Sequence, residues 1–372
     1  MSHVRAGPPV SVAGVTTTSS ITPRWLLYGA SGYTGRLIAE EAVRRGHRPV
    51  LSGRSLEKLT PLAEALGLEV RPAALEDPRQ LSAALKDLPL VLHAAGPFVR
   101  TAEPMRQACL AQGVHYQDIT GEIPVFEGSF RLDAEAKARG VSLMSGVGFD
   151  VVPTDCLARY VADLVPGATE LEIAISGGSQ ASAGTAKSVV LQLPEGGKAR
   201  RGGVLVSYPL GQGIRRLRFD DKERTVMPIP WGDLSTAYRT TGIENITTLM
   251  AVRSTSAQVL RWTAPVLREA LKVGLVRDRV LRLIDSRVHG PTAETREKVR
   301  SHIWAQARAP DGRSSQAWLQ VPEGYLFTAR AAVLAVEELL AQPTPGALTP
   351  AGAFGADFVL RVEGCRRLDT PG

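Results

Sequence analysis

Trp25-Leu26-Leu27-Tyr28 is a short apolar run that passes without a spacer into Gly29-Ala30-Ser31-Gly32-Tyr33-Thr34-Gly35, after which apolar residues stripe one face from Arg36 to Arg45. The pattern predicts a buried strand, a tight glycine turn and a helix. Such a turn aims several backbone N–H groups and the positive end of the helix dipole at one place, which suits a diphosphate. Gly29 lets the chain turn, Gly32 admits the phosphates without a Cβ in the way, and Gly35 lets the helix close on the strand. Gly29, Ser31, Gly32, Tyr33, Thr34 and Gly35 are therefore the expected dinucleotide contacts. A glycine loop that binds nothing is the plainer alternative, and the flanking strand and helix weigh against it.

A second strand, Pro49-Val50-Leu51-Ser52, ends in Gly53-Arg54-Ser55 before a helix with Leu59, Leu62 and Leu66 on one face. NAD-selective turns place an Asp or Glu here to bind the ribose hydroxyls, and none stands at this strand end. Arg54 offers a planar fork of donors that matches a 2′-phosphate, and Ser55 a hydroxyl at a helix N-cap. The reading is NADP(H). Its rival makes Arg54 a solvated arginine and Ser55 only a cap.

Strand and helix continue to alternate. Leu68 to Val70, Leu90 to Ala95, Val114 to Ile119 and Val141 to Met144 read as strands. Helices fall between them, around Leu81 to Leu88, around Met105 to Cys109, and from Phe126 to Arg139, with Gly113 and Gly140 as stops. The spacing requires an α/β fold, a doubly wound parallel Rossmann sheet. Ligands then sit beyond the strand ends, so the loops with Ala95, Gly96 and Pro97, with Asp118 to Glu122, and with Gly146 to Asp150 face the cofactor. Past about residue 168, Leu171, Ile173 and Ile175 alternate with polar neighbours, as do parts of Val204 to Ser207 and Ile214 to Phe219. A helix is expected from Thr185 to Leu193, and short strands with turns over Thr225 to Ile246. These predict a second α+β lobe on a mixed or antiparallel sheet.

Further on, Ser256 to Val288 reads as one long basic amphipathic helix, either covering the second lobe or touching a lipid or carrier partner. Ser301 to Ala307 and Ser315 to Gln320 form a hairpin across Asp311-Gly312, and Leu326 to Leu340 an apolar helix. The expected division is a disordered tail over 1–23, an NADP-binding Rossmann domain over 24–155 and a substrate or dimerisation domain over 156–324. A C-terminal helix and tail over 325–372 return to the first domain and end loosely held.

The 372 residues carry 44 Lys and Arg against 37 Asp and Glu, a net charge of +7. That diffuse excess suits anionic small molecules or acyl-carrier arms and gives no argument for nucleic acid. Cys109, Cys156 and Cys365 are far apart and the histidines are scattered, so neither a disulfide framework nor a metal site is expected, and a reducing cytoplasm fits. No uninterrupted apolar run reaches the roughly 18 residues of a membrane span; any membrane contact would be peripheral, through 256–288.

Four stretches carry a family resemblance: Gly29 to Arg36, Ala94-Ala95-Gly96-Pro97-Phe98, His115-Tyr116-Gln117-Asp118-Ile119-Thr120-Gly121-Glu122, and Gly148-Phe149-Asp150-Val151-Val152-Pro153-Thr154-Asp155. With Gly290-Pro291-Thr292 and Pro322-Glu323-Gly324-Tyr325, they make the chain resemble the saccharopine dehydrogenase-like proteins, which include saccharopine reductases and trans-acting enoyl reductases. The resemblance implies an NADP(H)-dependent oxidoreductase with a Rossmann lobe and a substrate or dimerisation lobe. The shorter second lobe shows no anchor for a dicarboxylate amino acid, so lysine metabolism is disfavoured. Reduction of a C=C or C=N bond in a small or carrier-linked substrate is the preferred activity. Tyr116, Asp118 and Asp150 are the candidate proton donors, with loop-tying or capping as the alternative role for the two acids. Lys187 is a weaker candidate for an anionic substrate group. The Tyr and Lys spaced by four in short-chain dehydrogenases are absent, which keeps a non-catalytic NADP(H)-sensing or scaffold protein as the second reading.

Overall fold

The computed structural model describes residues 24–177, 183–192, 194, 196–208, 212–252, 269–288 and 290–371. The tail expected over 1–23, and the first part of the helix expected over 256–288, lie outside the described residues. The strands are β1 (Leu26–Tyr28), β2 (Val50–Gly53), β3 (Val70–Pro72), β4 (Leu90–His93), β5 (His115–Asp118), β6 (Ser142–Met144), β7 (Glu170–Ser176) and β8 (Gly197–Arg201). They continue with β9 (Val204–Tyr208), β10 (Arg215–Arg218), β11 (Glu223–Pro228), β12 (Asn245–Val252), β13 (Arg300–Arg308), β14 (Ser314–Pro322), β15 (Gly346–Leu348) and β16 (Arg366–Leu368). The helices of the first half are α1 (Tyr33–Arg44), α2 (Leu56–Leu66), α3 (Pro78–Leu85), α4 (Phe98–Gln112), α5 (Ile123–Arg131), α6 (Asp133–Ala138) and α7 (Val152–Asp163). Then come α8 (Ala183–Gln192), α9 (Asp233–Thr241), α10 (Gly274–Arg287), α11 (Ala293–Lys298), α12 (Gly324–Ala341) and α13 (Pro350–Phe354).

Two sheets organise these elements. The first has seven strands in the order β15-β6-β5-β4-β1-β2-β3, and every pairing in it is parallel. β1 lies between β2 and β4, so the strand order reverses direction there and opens a crevice at the ends of β1 and β4. The second sheet runs β10-β11-β12-β7-β13-β14-β16, with β8 and β9 branching from β12. It is mixed, since β12 pairs β7 in parallel while its other pairings are antiparallel.

Local signals set most boundaries. Ser55 caps α2 by accepting from the Lys58 N–H, and Gly67 ends it in the left-handed region at φ 64°. Asp77 caps α3 through the Arg79 and Gln80 N–H groups, and Gly113 at φ 70° ends α4. One apolar core joins the lobes. Ile38 and Ala39 of α1, Leu157 and Val161 of α7, Ile303 and Leu319 of the second sheet, and Phe327 and Val333 of α12 all belong to it. No helix of the described residues is long and apolar enough to cross a membrane.

Several expectations need correction. The helix expected over Phe126 to Arg139 starts at Ile123 and breaks at Leu132, because Pro124 sets its first turn and Asp133 opens a separate short helix. Within Thr225 to Ile246, α9 stands where only strands and turns were expected; its Leu234, Ser235, Thr236 and Ala237 are buried, so packing overrides the poor helix propensity of serine and threonine. The described part of the 256–288 segment is interrupted at Val273, just before Gly274. Nor are the last residues loose. Phe358, Val359 and Val362 are buried and β16 pairs with β14, while β15 extends the first sheet beside β6.

Candidate functional site

The crevice at the ends of β1 and β4 begins with the glycine turn. Gly29 has φ 87°, and a Cβ there would stand 2.7 Å from the Ala95 nitrogen, so the turn leans directly on the loop after β4. Its N–H and that of Ala30 donate to the Ser52 carbonyl at 2.8 and 3.3 Å, which fixes the turn to β2. A Cβ on Gly35 would come 2.8 Å from the Ala30 Cα, so only glycine lets α1 approach the strand this closely. At Gly32 such an atom would meet only the Gly29 carbonyl oxygen, 3.3 Å away. Ser31 and Gly32 are exposed and Tyr33 and Thr34 half-buried, and no side chain caps the start of α1. The first amides of this helix are left to an anion.

The neighbouring helix start differs. Thr101 donates to the Ala95 carbonyl at 2.7 Å and to that of Pro97 at 3.2 Å, bracing the Ala95-Gly96-Pro97 loop at the head of α4. Glu122, 2% exposed, accepts from the Phe98 and Val99 N–H groups at 3.2 and 2.7 Å. A carboxylate thus already occupies the positive end of α4. Of the two helix starts that flank the crevice, α1 is the one open to phosphates, and the cradle fits a diphosphate. Arg54, at the end of β2, is exposed and makes no hydrogen bond or ion pair among the described residues.

Tyr116 and Asp118 are both fully buried. The Tyr116 hydroxyl donates to Asp118 Oδ2 at 2.8 Å, and Ser145 Oγ donates to the same oxygen at 2.9 Å. The other oxygen accepts from the Thr120 and Gly146 N–H groups, each at 3.0 Å. Asp118 therefore spends both oxygens tying the loops after β5 and β6 together. Burial raises its pKa while those four donors oppose the rise. His93 stands beside them, packed edge-on against Tyr28, Phe98 and Tyr116. Burial holds its pKa at about 3, so it stays neutral. Asp118→Asn should cost about 2–3 kcal/mol, because an amide nitrogen would face two of the four donors. A lower urea midpoint with NADPH affinity retained in the folded fraction would bear this out.

Asp150 is placed differently. Its side chain is half-buried and its carboxyl makes no hydrogen bond among the described residues. Oδ2 lies only 2.8 Å from the position a Cβ on Gly121 would take, so any side chain at 121 would collide with it. The Trp231 indole donates to the Asp150 carbonyl at 2.7 Å and holds this turn to the second lobe. Burial, reinforced by the Glu122 carboxylate, pushes the Asp150 pKa up to about 6. The chain thus sets a carboxyl with a pKa raised to about 6 on the loop after β6, against Gly121 of the loop after β5.

Sequence reasoning missed three contributors. Glu122 caps α4 from the loop after β5, and the only local sign of it is an acid directly after Thr120-Gly121. Trp231 and Asp233 fall in the stretch read as strands and turns. Asp233 is fully buried, and burial, opposed by the nearby Thr154 hydroxyl, drives its pKa well upward. Lys187 lies half-buried on α8. Among the described residues the one grouping of metal-ligand types is Asp220, Asp221 and His302. It sits on the second sheet, where His302 pairs with Asp220 at 2.6 Å and Arg224 already engages both Asp221 oxygens.

Comparison with known proteins bears on the first lobe most directly. Residues 25–144, which hold the glycine turn and strands β1 to β6, match the saccharopine dehydrogenase NADP binding domain. A trans-acting enoyl reductase of Mycobacterium tuberculosis is 35% identical over 138 residues, covering 35% of this chain and 33% of that protein. A saccharopine dehydrogenase-like oxidoreductase of Bos taurus is 30% identical over 191 residues, 44% of each chain. The matched stretches therefore span less than half the length of these relatives. Apo saccharopine dehydrogenase (L-Glu forming) from Saccharomyces cerevisiae superposes with a TM-score of 0.63 over 91% of this chain and 96% of that one at 14% identity, which shows a shared fold across both lobes.

Proposed function

We propose that this chain is an NADPH-dependent reductase of an activated carbon–carbon double bond, an enoyl thioester carried on an acyl-carrier arm, and that Asp150 supplies the proton. The observation that carries this reading is the contrast among the strand-end acids. Asp118 is saturated by four donors, whereas Asp150 is half-buried, without a hydrogen bond among the described residues, and poised at about 6. The name of the mycobacterial relative supports the enoyl substrate. The absence of paired partners among Cys109, Cys156 and Cys365 suits a reducing cytoplasm.

The open amides of α1 and the fork of Arg54 bind and orient the coenzyme, and Ala95, Gly96 and Pro97 border its path. NADPH, when bound, supplies a hydride to the β-carbon of the double bond. Asp150 gives its proton to the α-carbon as negative charge develops toward the thioester oxygen, so the C=C bond becomes a single bond with one hydride and one proton added. The carboxylate then regains a proton from solvent. Trp231 fixes the Asp150 main chain, and the Tyr116–Asp118–Ser145 network fixes the two loops that present it.

Loss of NADPH absorbance should follow the addition of a crotonyl thioester, with no turnover of a cyclic imine. Tight NADPH binding without turnover of any enoyl thioester would leave the chain a coenzyme sensor and end the reductase reading.

A further inference from the structure

Among the described residues nine large hydrophobic side chains are exposed, and four of them, Val273, Leu275, Val276 and Leu283, cluster in or beside α10. Leu275 is 67% and Leu283 51% exposed. Arg279, Arg282 and Arg287 are exposed on the same helix and make no ion pair among the described residues. This exposed apolar surface, beside three exposed guanidiniums that outnumber the exposed Asp278 carboxylate, itself 3.9 Å from Arg277, marks an interaction face.

The spacing decides what kind of partner fits. Leu275, Arg279 and Leu283 are four residues apart in succession and form one line along the helix, flanked by Val276 and Arg282. A helix that sinks into a lipid surface separates an apolar face from a charged one. Here a guanidinium stands between the two leucines, and burying the stripe in acyl chains would bury Arg279 with it. Alternating apolar and cationic positions match a protein surface that alternates notches with carboxylates.

The position of α10 suits delivery to the site. It packs on α8, and the chain beyond it reaches Gly290 and Pro291 against the first residue of α1. Tyr33 donates to the Pro291 carbonyl at 2.5 Å, Arg296 donates to the Tyr33 hydroxyl at 2.7 Å, and a Cβ on Gly290 would fall within 2.6 Å of the Tyr33 ring.

We infer that the outward face of α10, centred on Leu275, Arg279 and Leu283, is the docking surface for an acidic acyl-carrier protein that presents the thioester to the crevice. This rests on the enoyl-thioester reading above. The test compares crotonyl-pantetheine with the same crotonyl group on an acyl carrier protein, using the full chain and the variants Arg279→Glu, Arg282→Glu and Leu275→Ser. For the carrier-bound substrate, KM should rise about tenfold or more in each variant, and the dependence on salt should weaken in the two arginine variants. The kcat/KM for crotonyl-pantetheine should not change. Equal changes with both substrates, or none with the carrier-bound one, would overturn the proposal.

A binding measurement separates the two readings. Fluorescence anisotropy of a labelled holo-carrier, without coenzyme, reads docking independently of turnover. Saturable binding that Arg279→Glu abolishes, with neither thioester reduced, would support the docking surface and sink the reductase. Unchanged carrier binding, with Arg279→Glu instead losing co-sedimentation with phosphatidylglycerol vesicles, would assign the face to a membrane and overturn the proposal.

Discussion

Replacing Arg54 with alanine should raise the Kd for NADPH about 10- to 100-fold while leaving that for NADH within about threefold, because a charged two-pronged hydrogen bond to a phosphate contributes about 1.5–3 kcal/mol. The asymmetry is the point of the measurement. Arg54 is exposed and has no partner among the described residues, so its removal breaks nothing that holds β2 or α2 in place. The cap of α2 belongs to Ser55, whose side chain accepts from the Lys58 N–H, and it survives the change. The diphosphate cradle at Gly29 to Gly35 lies on another strand and serves both coenzymes alike. Arg54→Lys should recover only part of the loss, since an ammonium keeps the charge but not the planar fork. Calorimetric titration with both coenzymes at two salt concentrations checks this. Equal losses for NADPH and NADH would remove Arg54 from the 2′-phosphate.

How much of this was legible in the sequence depended on the range over which each feature is decided. The glycine turn, the Ser55 cap and the Asp311-Gly312 hairpin are set by residues within a few positions, and the structure places all three as the local signals require. The match to an NADP binding domain runs from the glycine turn through β6, over residues 25–144. Features settled by distant contacts were not legible. Helix α9 carries Ser235, Thr236, Thr240 and Thr241, which alone favour turns or strands, and it is helical because one face is buried against α7 and α5. The end of the chain looked like a Pro- and Gly-rich tail, yet Phe358 and Val359 are buried in the main core.

The site shows the same division. Asp118 ends β5 and Asp150 lies on the loop after β6, and nothing nearby in sequence tells their roles apart. Three of the four donors on Asp118 come from Thr120, Ser145 and Gly146, the last two on the loop after the next strand. What frees Asp150 is equally remote: Gly121 makes room for it, and Trp231, on the second lobe, takes its carbonyl rather than its carboxyl. Composition and periodicity locate the loops that meet at a strand-end crevice. Which acid each loop spends on structure is decided by the three-dimensional pairing.

For Asp150→Asn, kcat/KM on an enoyl thioester should fall about 10²- to 10⁴-fold, the usual contribution of a positioned acid, while the NADPH Kd stays within about twofold and the protein becomes more stable at pH 7. The last two outcomes separate a proton donor from a structural acid. An unfolded aspartate titrates near about 4, whereas burial and the Glu122 carboxylate hold Asp150 at about 6. Between those values the folded chain holds a proton that the unfolded chain has lost. The stability this group contributes is therefore complete below about pH 4 and is lost as pH rises through about 6. At pH 7 the native protein keeps a poorly solvated carboxylate, and an amide of the same shape should relieve about 1–2 kcal/mol, read as a higher Tm. Catalysis has the same sign, since the donor must hold its proton: kcat/KM of the native enzyme should decline as pH rises through about 6, and the residual activity of Asp150→Asn should be flat there. A variant that gained stability and kept its activity would show that the raised pKa is only the cost of placing an acid beside Glu122, and the proton would have to come from elsewhere. A variant that lost both would place Asp150 with Asp118, as a residue that ties the loops.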